Sequence, residues 1–158
     1  MIKLAENNGR IYLAITTYDP GDFVSPFSGI SFPCLIWDHE GRFANAEREQ
    51  IARTLLNAGC RYAVCGGQNC DAWHLSVDFV FVDQHLNEPE EFKDTVFVMT
   101  TSHAGESPDD VAFFFVLNTN FDDHDFKHYL VLHIGNSPMK AEIDEAVRKY
   151  AHNDKVVD

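Results

Sequence analysis

Five short apolar runs, rich in branched and aromatic residues, break off into small or polar residues along the chain: Ile11–Thr17, Phe32–Trp37, Arg61–Cys65, Thr95–Thr100 and Tyr129–Ile134. The last four are separated by stretches long enough to hold a helix. That alternation predicts strands buried on both faces with crossover helices between them. The expected fold is α/β, a single three-layer domain of about five mainly parallel strands with helices on both faces. Such sheets gather ligand sites at the carboxyl ends of their strands.

The segments between the runs predict the outer layers. Tyr18 to Ser31 carries Pro20, Gly21, Pro26 and Gly29, and no helical pattern survives them. The second strand therefore either runs antiparallel to the first or reaches it by an irregular crossover. A helix is expected from about Ala44 to Ala58, with Ile51 and Leu55 inward and Gly59 as its left-handed stop. Cys70, Trp73, Val77 and Phe81 recur at helical spacing from about Asn69, while the alternation Phe79-Val80-Phe81-Val82 leaves the far boundary open.

Ser107-Pro108-Asp109-Asp110 has the marks of a helix start: a hydroxyl cap, proline at the first position and acids at the positive end of the dipole. The helix it opens, Val111 to about Leu117, is apolar on every side, because Phe113, Phe114 and Phe115 sweep most of its circumference. A helix apolar all round is covered on both sides. These three phenylalanines are therefore the candidate interface, toward a second subunit or another segment. A strand is the rival assignment, since Phe and Val favour strands. Ser137-Pro138 starts a last helix, with Met139, Ile143, Val147 and Tyr150 as its inner stripe.

At 158 residues the chain suits one domain whose core needs no disulfide or metal staple. We expect that domain over residues 1–151 and a frayed tail over 152–158. No apolar run is long enough to cross a bilayer, and Met1 to Glu6 lacks the apolar stretch of a signal peptide. The four cysteines are accordingly expected as reduced thiols in a cytoplasmic protein. Net charge changes the picture more. Residues 62–126 hold thirteen acids and one base, Lys93, and so carry −12 of the net −13. Nucleic-acid binding is disfavoured, because it needs clustered Lys and Arg. Either a solvated acidic face or a surface that attracts a basic partner remains.

The strand ends collect Asp38, His39 and Glu40; Cys65, Gly66 and Gly67; Thr100, Thr101, Ser102 and His103; and Gly135, Asn136 and Ser137. Gly66, Gly67, Thr101, Ser102, Asn136 and Ser137 are the candidate ligand contacts. Small residues let a ligand reach the backbone, and helix amino termini suit a small anionic one. Cys65 is the candidate nucleophile. Its setting, Ala63-Val64-Cys65-Gly66-Gly67, is similar to a nucleophile elbow with alanine in place of the first glycine. His103 or His39 would serve as base, with His133 also within a strand's reach. For His133, inside a strand, a hydrogen-bonded core role is the expected fate.

Other chemistry is absent from the pattern. Gly66-Gly67 lacks the dinucleotide fingerprint and no P-loop sequence occurs. The spacing of Cys60, Cys65 and Cys70 matches no zinc site. The cluster Asp122, Asp123, His124, Asp125 and His128 lacks the alternate carboxylates and glycine of a hard-metal loop, and it precedes a strand. No metal and no cofactor is expected.

The run Cys60-Arg61-Tyr62-Ala63-Val64-Cys65-Gly66-Gly67 through Trp73-His74, with Val111 to Phe115 and Tyr129 to Leu132, resembles a small bacterial family of uncharacterised α/β domains. The likeness spans most of the chain after residue 30. It implies a bacterial or phage-type cytosolic protein and carries no known activity.

With no complete catalytic motif, the leading expectation is a binding or regulatory domain that self-associates, as in a homodimer, or docks a protein partner, with no nucleic-acid or membrane partner. Two alternatives stay open. One is a hydrolase or transferase acting on a small molecule through Cys65. The other is an acidic inhibitor or immunity-type protein for a basic partner.

Overall fold

The computed structural model describes residues 1–121 and 124–153. Its sheet has six strands: β1 (Ile2–Asn7), β2 (Arg10–Thr17), β3 (Phe32–Asp38), β4 (Cys60–Gly67), β5 (Met99–Ser102) and β6 (His128–Ile134). They lie in the order β1-β2-β6-β3-β4-β5. Every neighbouring pair is parallel except β1 and β2. Five helices accompany them: α1 (Asn45–Ala58), α2 (Cys70–Gln84), α3 (Glu90–Val96), α4 (Pro108–Leu117) and α5 (Met139–Asn153). The fold is α/β and mostly parallel, as expected.

Alternation along the strands builds two cores. On β3, Cys34 and Ile36 face one way and Leu35 and Trp37 the other. The first core joins them to Ile51 and Leu55 of α1 and to Trp73 and Val77 of α2. The second lies under Val111 and Phe115 of α4 and Ile143 and Val147 of α5. The chain steps from β3 through α1 and α2 to β4 and β5, then turns back past β3 to β6. Because crossovers keep one hand, that reversal puts α4 and α5 on the opposite face. The reversal point lies between β3 and β6, where open α/β sheets form their crevice.

The segment between β2 and β3 is an irregular crossover, which settles one open choice. Only a short 3-10 turn at Pro20–Asp22 interrupts it, and Phe23 and Phe27 enter the α1/α2 core where a helix would otherwise pack. β1 was not expected. It folds back on β2 through Asn8-Gly9, both at positive φ, the pairing that closes a tight hairpin.

The predicted strand Thr95–Thr100 is displaced. Residues up to Val96 belong to α3, whose first turn carries Glu90 and Glu91 after Pro89, and β5 begins at Met99. Helix α4 is a helix, capped by the Ser107 hydroxyl accepting from the Asp110 N–H at 3.1 Å. Its phenylalanines do not form a common interface. Phe115 is wholly buried and meets Tyr129 edge-on, and Phe114 packs against Tyr62 and His103. Phe113 is 45% exposed and touches Tyr150. The sheet and α5 therefore supply the cover that the sequence demanded. On α5 the inner stripe omits Met139, which is exposed, and the helix extends through the first residues of the expected tail. Asp122, Asp123 and residues 154–158 lie outside the described residues.

Candidate functional site

A cleft of about 250 Å³ opens at the carboxyl ends of β3, β4 and β6, with Asp38, His39, Gln68, His103, Glu106 and Ser137 on its walls. The position is the reversal point of the sheet. Asp38, the buried last residue of β3, shapes its floor. One carboxylate oxygen accepts from the N–H groups of Glu40 and Gly41 at 3.0 and 2.8 Å, and the other from the Trp73 indole at 2.9 Å. Both oxygens hold the turn and α2 in place, which aims the next residue, His39, across the mouth of β6.

There His39 joins a continuous hydrogen-bonded chain. Its Nδ1 lies 2.6 Å from the Ser137 hydroxyl and its Nε2 2.8 Å from His133 Nδ1. His133 Nε2 lies 2.8 Å from an Asp144 carboxylate oxygen. Strand alternation turns His133 to the α5 side of the sheet, and Asp144 sits on the buried stripe of α5 beside Ile143. An ionised carboxylate only accepts, so in the neutral tautomer that donates Nε2–H to Asp144, His133 accepts through Nδ1. His39 must then donate through Nε2, leaving its Nδ1 to accept the Ser137 proton. The direction of the whole chain follows from Asp144. Burial, and next the neighbouring His133, push His39 down to about 4.

Ser137 stands where β6 becomes α5. Its hydroxyl oxygen accepts from the Met139 N–H at 3.2 Å, capping the helix. Gly135 makes the turn at φ +75, and a Cβ there would fall 1.9 Å from the Glu40 carboxylate. That carboxylate accepts from the Asn136 N–H at 3.2 Å.

Of the residues expected at the site, the cleft brings together His39, His103, Gly67 and Ser137. Cys65 is not with them. Its thiol is fully buried in the α1/α2 core, and burial raises its pKa well above the ordinary value. A sealed, protonated thiol is no nucleophile. His103 is tied on both ring nitrogens, to Glu106 at 2.9 Å and to Thr101 at 2.8 Å. Ser102 turns to Asp71 of α2, Gly66 stands where any Cβ would meet the Trp37 ring, and Asn136 is exposed beside Glu40. Among the described residues that line the cleft there is no Lys or Arg, and Lys140 lies close enough to act on His39. Among the described residues, no group of three or more His, Cys, Asp or Glu could hold a metal ion, and no helix is long and apolar enough to cross a membrane.

A second surface lies on α2. Trp73, Val77 and Val80 face the core, while Leu75, Phe79 and Val82 point away at 65%, 52% and 56% exposure. At 3.6 residues per turn these three fall within roughly 60° of arc. Sequence reasoning assigned the doubly apolar helix to α4, but α2 is the one left half uncovered. The spacing 75, 79, 82 was its signal. The acids do not form one face: Asp71 and Asp78 ride on α2, whereas Asp109 and Asp110 begin α4 across the sheet. Asp109 pairs with Lys149, and Asp125 with Arg10 and Lys127. The described acids of this segment therefore do not share one face, although the stretch from Asp71 to Asp94 keeps seven acids against Lys93.

No curated protein and no solved structure matches the chain significantly. One family does, across residues 12–150, from β2 to the last turns of α5. The chain belongs to this family, DUF7684, a domain of unknown function.

Proposed function

We propose that the protein is a docking module that binds a partner protein through α2, the partner presenting an apolar helix face flanked by Lys and Arg. The observation that carries this reading is the outward stripe Leu75, Phe79 and Val82. A helix apolar on two opposite faces ordinarily has both covered, and contiguous apolar surface beyond a few hundred Å² marks an interaction site. The acids of the same segment select the partner. A second copy would set Asp71, Asp78 and Asp83 against their own counterparts, which costs affinity; basic flanks would gain from them.

A synthetic amphipathic helix with leucines along one face and lysine flanks tests this by fluorescence anisotropy. Binding should weaken with salt and fall by about tenfold or more in Phe79→Glu, as for a central apolar anchor. A glutamate-flanked peptide should not bind. Equal binding by Phe79→Glu overturns the proposal. So does light scattering that shows a dimer which Phe79→Glu dissolves.

A further inference from the structure

We propose that Ser137 is an acyl-accepting nucleophile with His39 as its general base, in a cleft that takes small neutral or cationic esters or thioesters. This goes beyond docking and uses a different surface. Three independent features meet there. The hydroxyl and the imidazole are 2.6 Å apart, and both line an open cleft. The base is oriented from behind by a second histidine and a buried carboxylate, each link at 2.8 Å. The serine sits on a strand-turn-helix junction, Gly135-Asn136-Ser137, which has the Gly-x-Ser half of a nucleophile elbow.

The chemistry is balanced within the chain. As Oγ bonds to the acyl carbon, its proton passes to His39 Nδ1. The His39 Nε2–H remains donated to His133, whose own Nε2–H points at Asp144, so the new positive charge faces an oriented path to a carboxylate. Collapse of the adduct breaks the bond to the leaving oxygen or sulfur, which takes the proton from His39. The acyl ester of Ser137 is then hydrolysed by a water that His39 deprotonates, releasing the acid and restoring the hydroxyl.

Two features limit the substrate. Pro138 has no N–H, so the donor that usually follows such a serine is missing, and the developing oxyanion has the amino-terminal dipole of α5 instead. Activated acyl donors are therefore the class, rather than amides. Glu106 and Asp38 line the cleft without any Lys or Arg, which disfavours acyl donors bearing carboxylate or phosphate.

The probe is p-nitrophenyl acetate, read by nitrophenol release and by peptide mass mapping of the acetyl group. Ser137 should be acetylated in the intact protein. Ser137→Asn keeps a capping side chain and should abolish that adduct. His39→Gln should slow it, by less than the roughly hundredfold of a base matched to neutral pH, because burial and His133 hold His39 down to about 4. Asp144→Asn, a positioning change, should slow it less and alter its pH profile, a readout that a merely structural role would not move. The charged and titratable groups around His39 are His133, Asp38, Lys140 and Asp144, and of these Asp144→Asn removes one. Acetylation confined to lysines, or nitrophenol release unchanged in Ser137→Asn, overturns the proposal. So does Ser137 acetylation at the wild-type rate in folded His39→Gln.

Discussion

Lowering the pH from neutral to about 4 should cost this protein stability through His39 in particular, and the size of the loss can be worked from its surroundings. Folding takes the imidazole out of water and sets it against His133, which moves it from the ordinary 6.5 to about 4. Below 6.5 the unfolded chain binds a proton that the folded one does not. Stability is therefore full above 6.5, falls as the pH drops, and stops falling on this account below about 4. At about 1.4 kcal/mol per pH unit the gap corresponds to roughly 3 kcal/mol. One side of the ring opens to the cleft, so solvent screening reduces the expected loss to about 2 kcal/mol. His39→Gln keeps hydrogen-bonding groups but cannot titrate. Urea unfolding of both proteins between pH 7 and 4 isolates the term, because carboxylates common to both cancel in the difference. With a slope of about 2 kcal/mol/M, the wild-type midpoint should fall by about 1 M more than that of His39→Gln. Parallel loss in the two proteins would refute the assignment of the buried, neutral imidazole.

Two further outcomes follow from burial. Phe115→Ala empties a fully enclosed site beside Tyr129 and should cost about 3–5 kcal/mol in urea unfolding, whereas Phe113→Ala, at a half-exposed site, should cost under about 1 kcal/mol; equal costs would mean that α4 faces otherwise. Cys65, sealed in the α1/α2 core with its thiol pushed up, should react with iodoacetamide only as fast as the protein opens, and rapid alkylation in native buffer would contradict its placement.

How much of this was legible in the sequence depended on how local each signal was. Gly59 ended α1, Ser107-Pro108 began α4 and Ser137-Pro138 preceded α5, because capping needs only neighbours. The Asn8-Gly9 hairpin is an equally local signal. Thr95 to Val98 has strand-forming residues, yet the start at Pro89-Glu90-Glu91 carried α3 through Val96. The site was half legible. His39 and Ser137 could be placed at the right edge because parallel strands set that edge. Their union with His133 and Asp144 could not, since it joins the end of β3, the interior of β6 and the second turn of α5. Cys65 failed for the complementary reason: strand alternation sends it into the core, and a five-residue likeness to an elbow does not report which face a strand residue takes.

The place of β6 in the sheet also bears on how the protein is made. β6 lies between β2 and β3, and its residues are 128 to 134. As the chain leaves the ribosome, the β1–β2 hairpin has no strand to join until residues 128–134 have been synthesised. Strands β3, β4 and β5 can pair as they emerge, but the inner edge of β3 stays open over the same interval. Nascent chains stalled before residue 128 should therefore expose a parallel-sheet edge and depend on chaperones, and completion should be cooperative and late, as non-local pairing requires. Since β6 also carries His133, the sheet and the chain from Ser137 to Asp144 would come into being in one step.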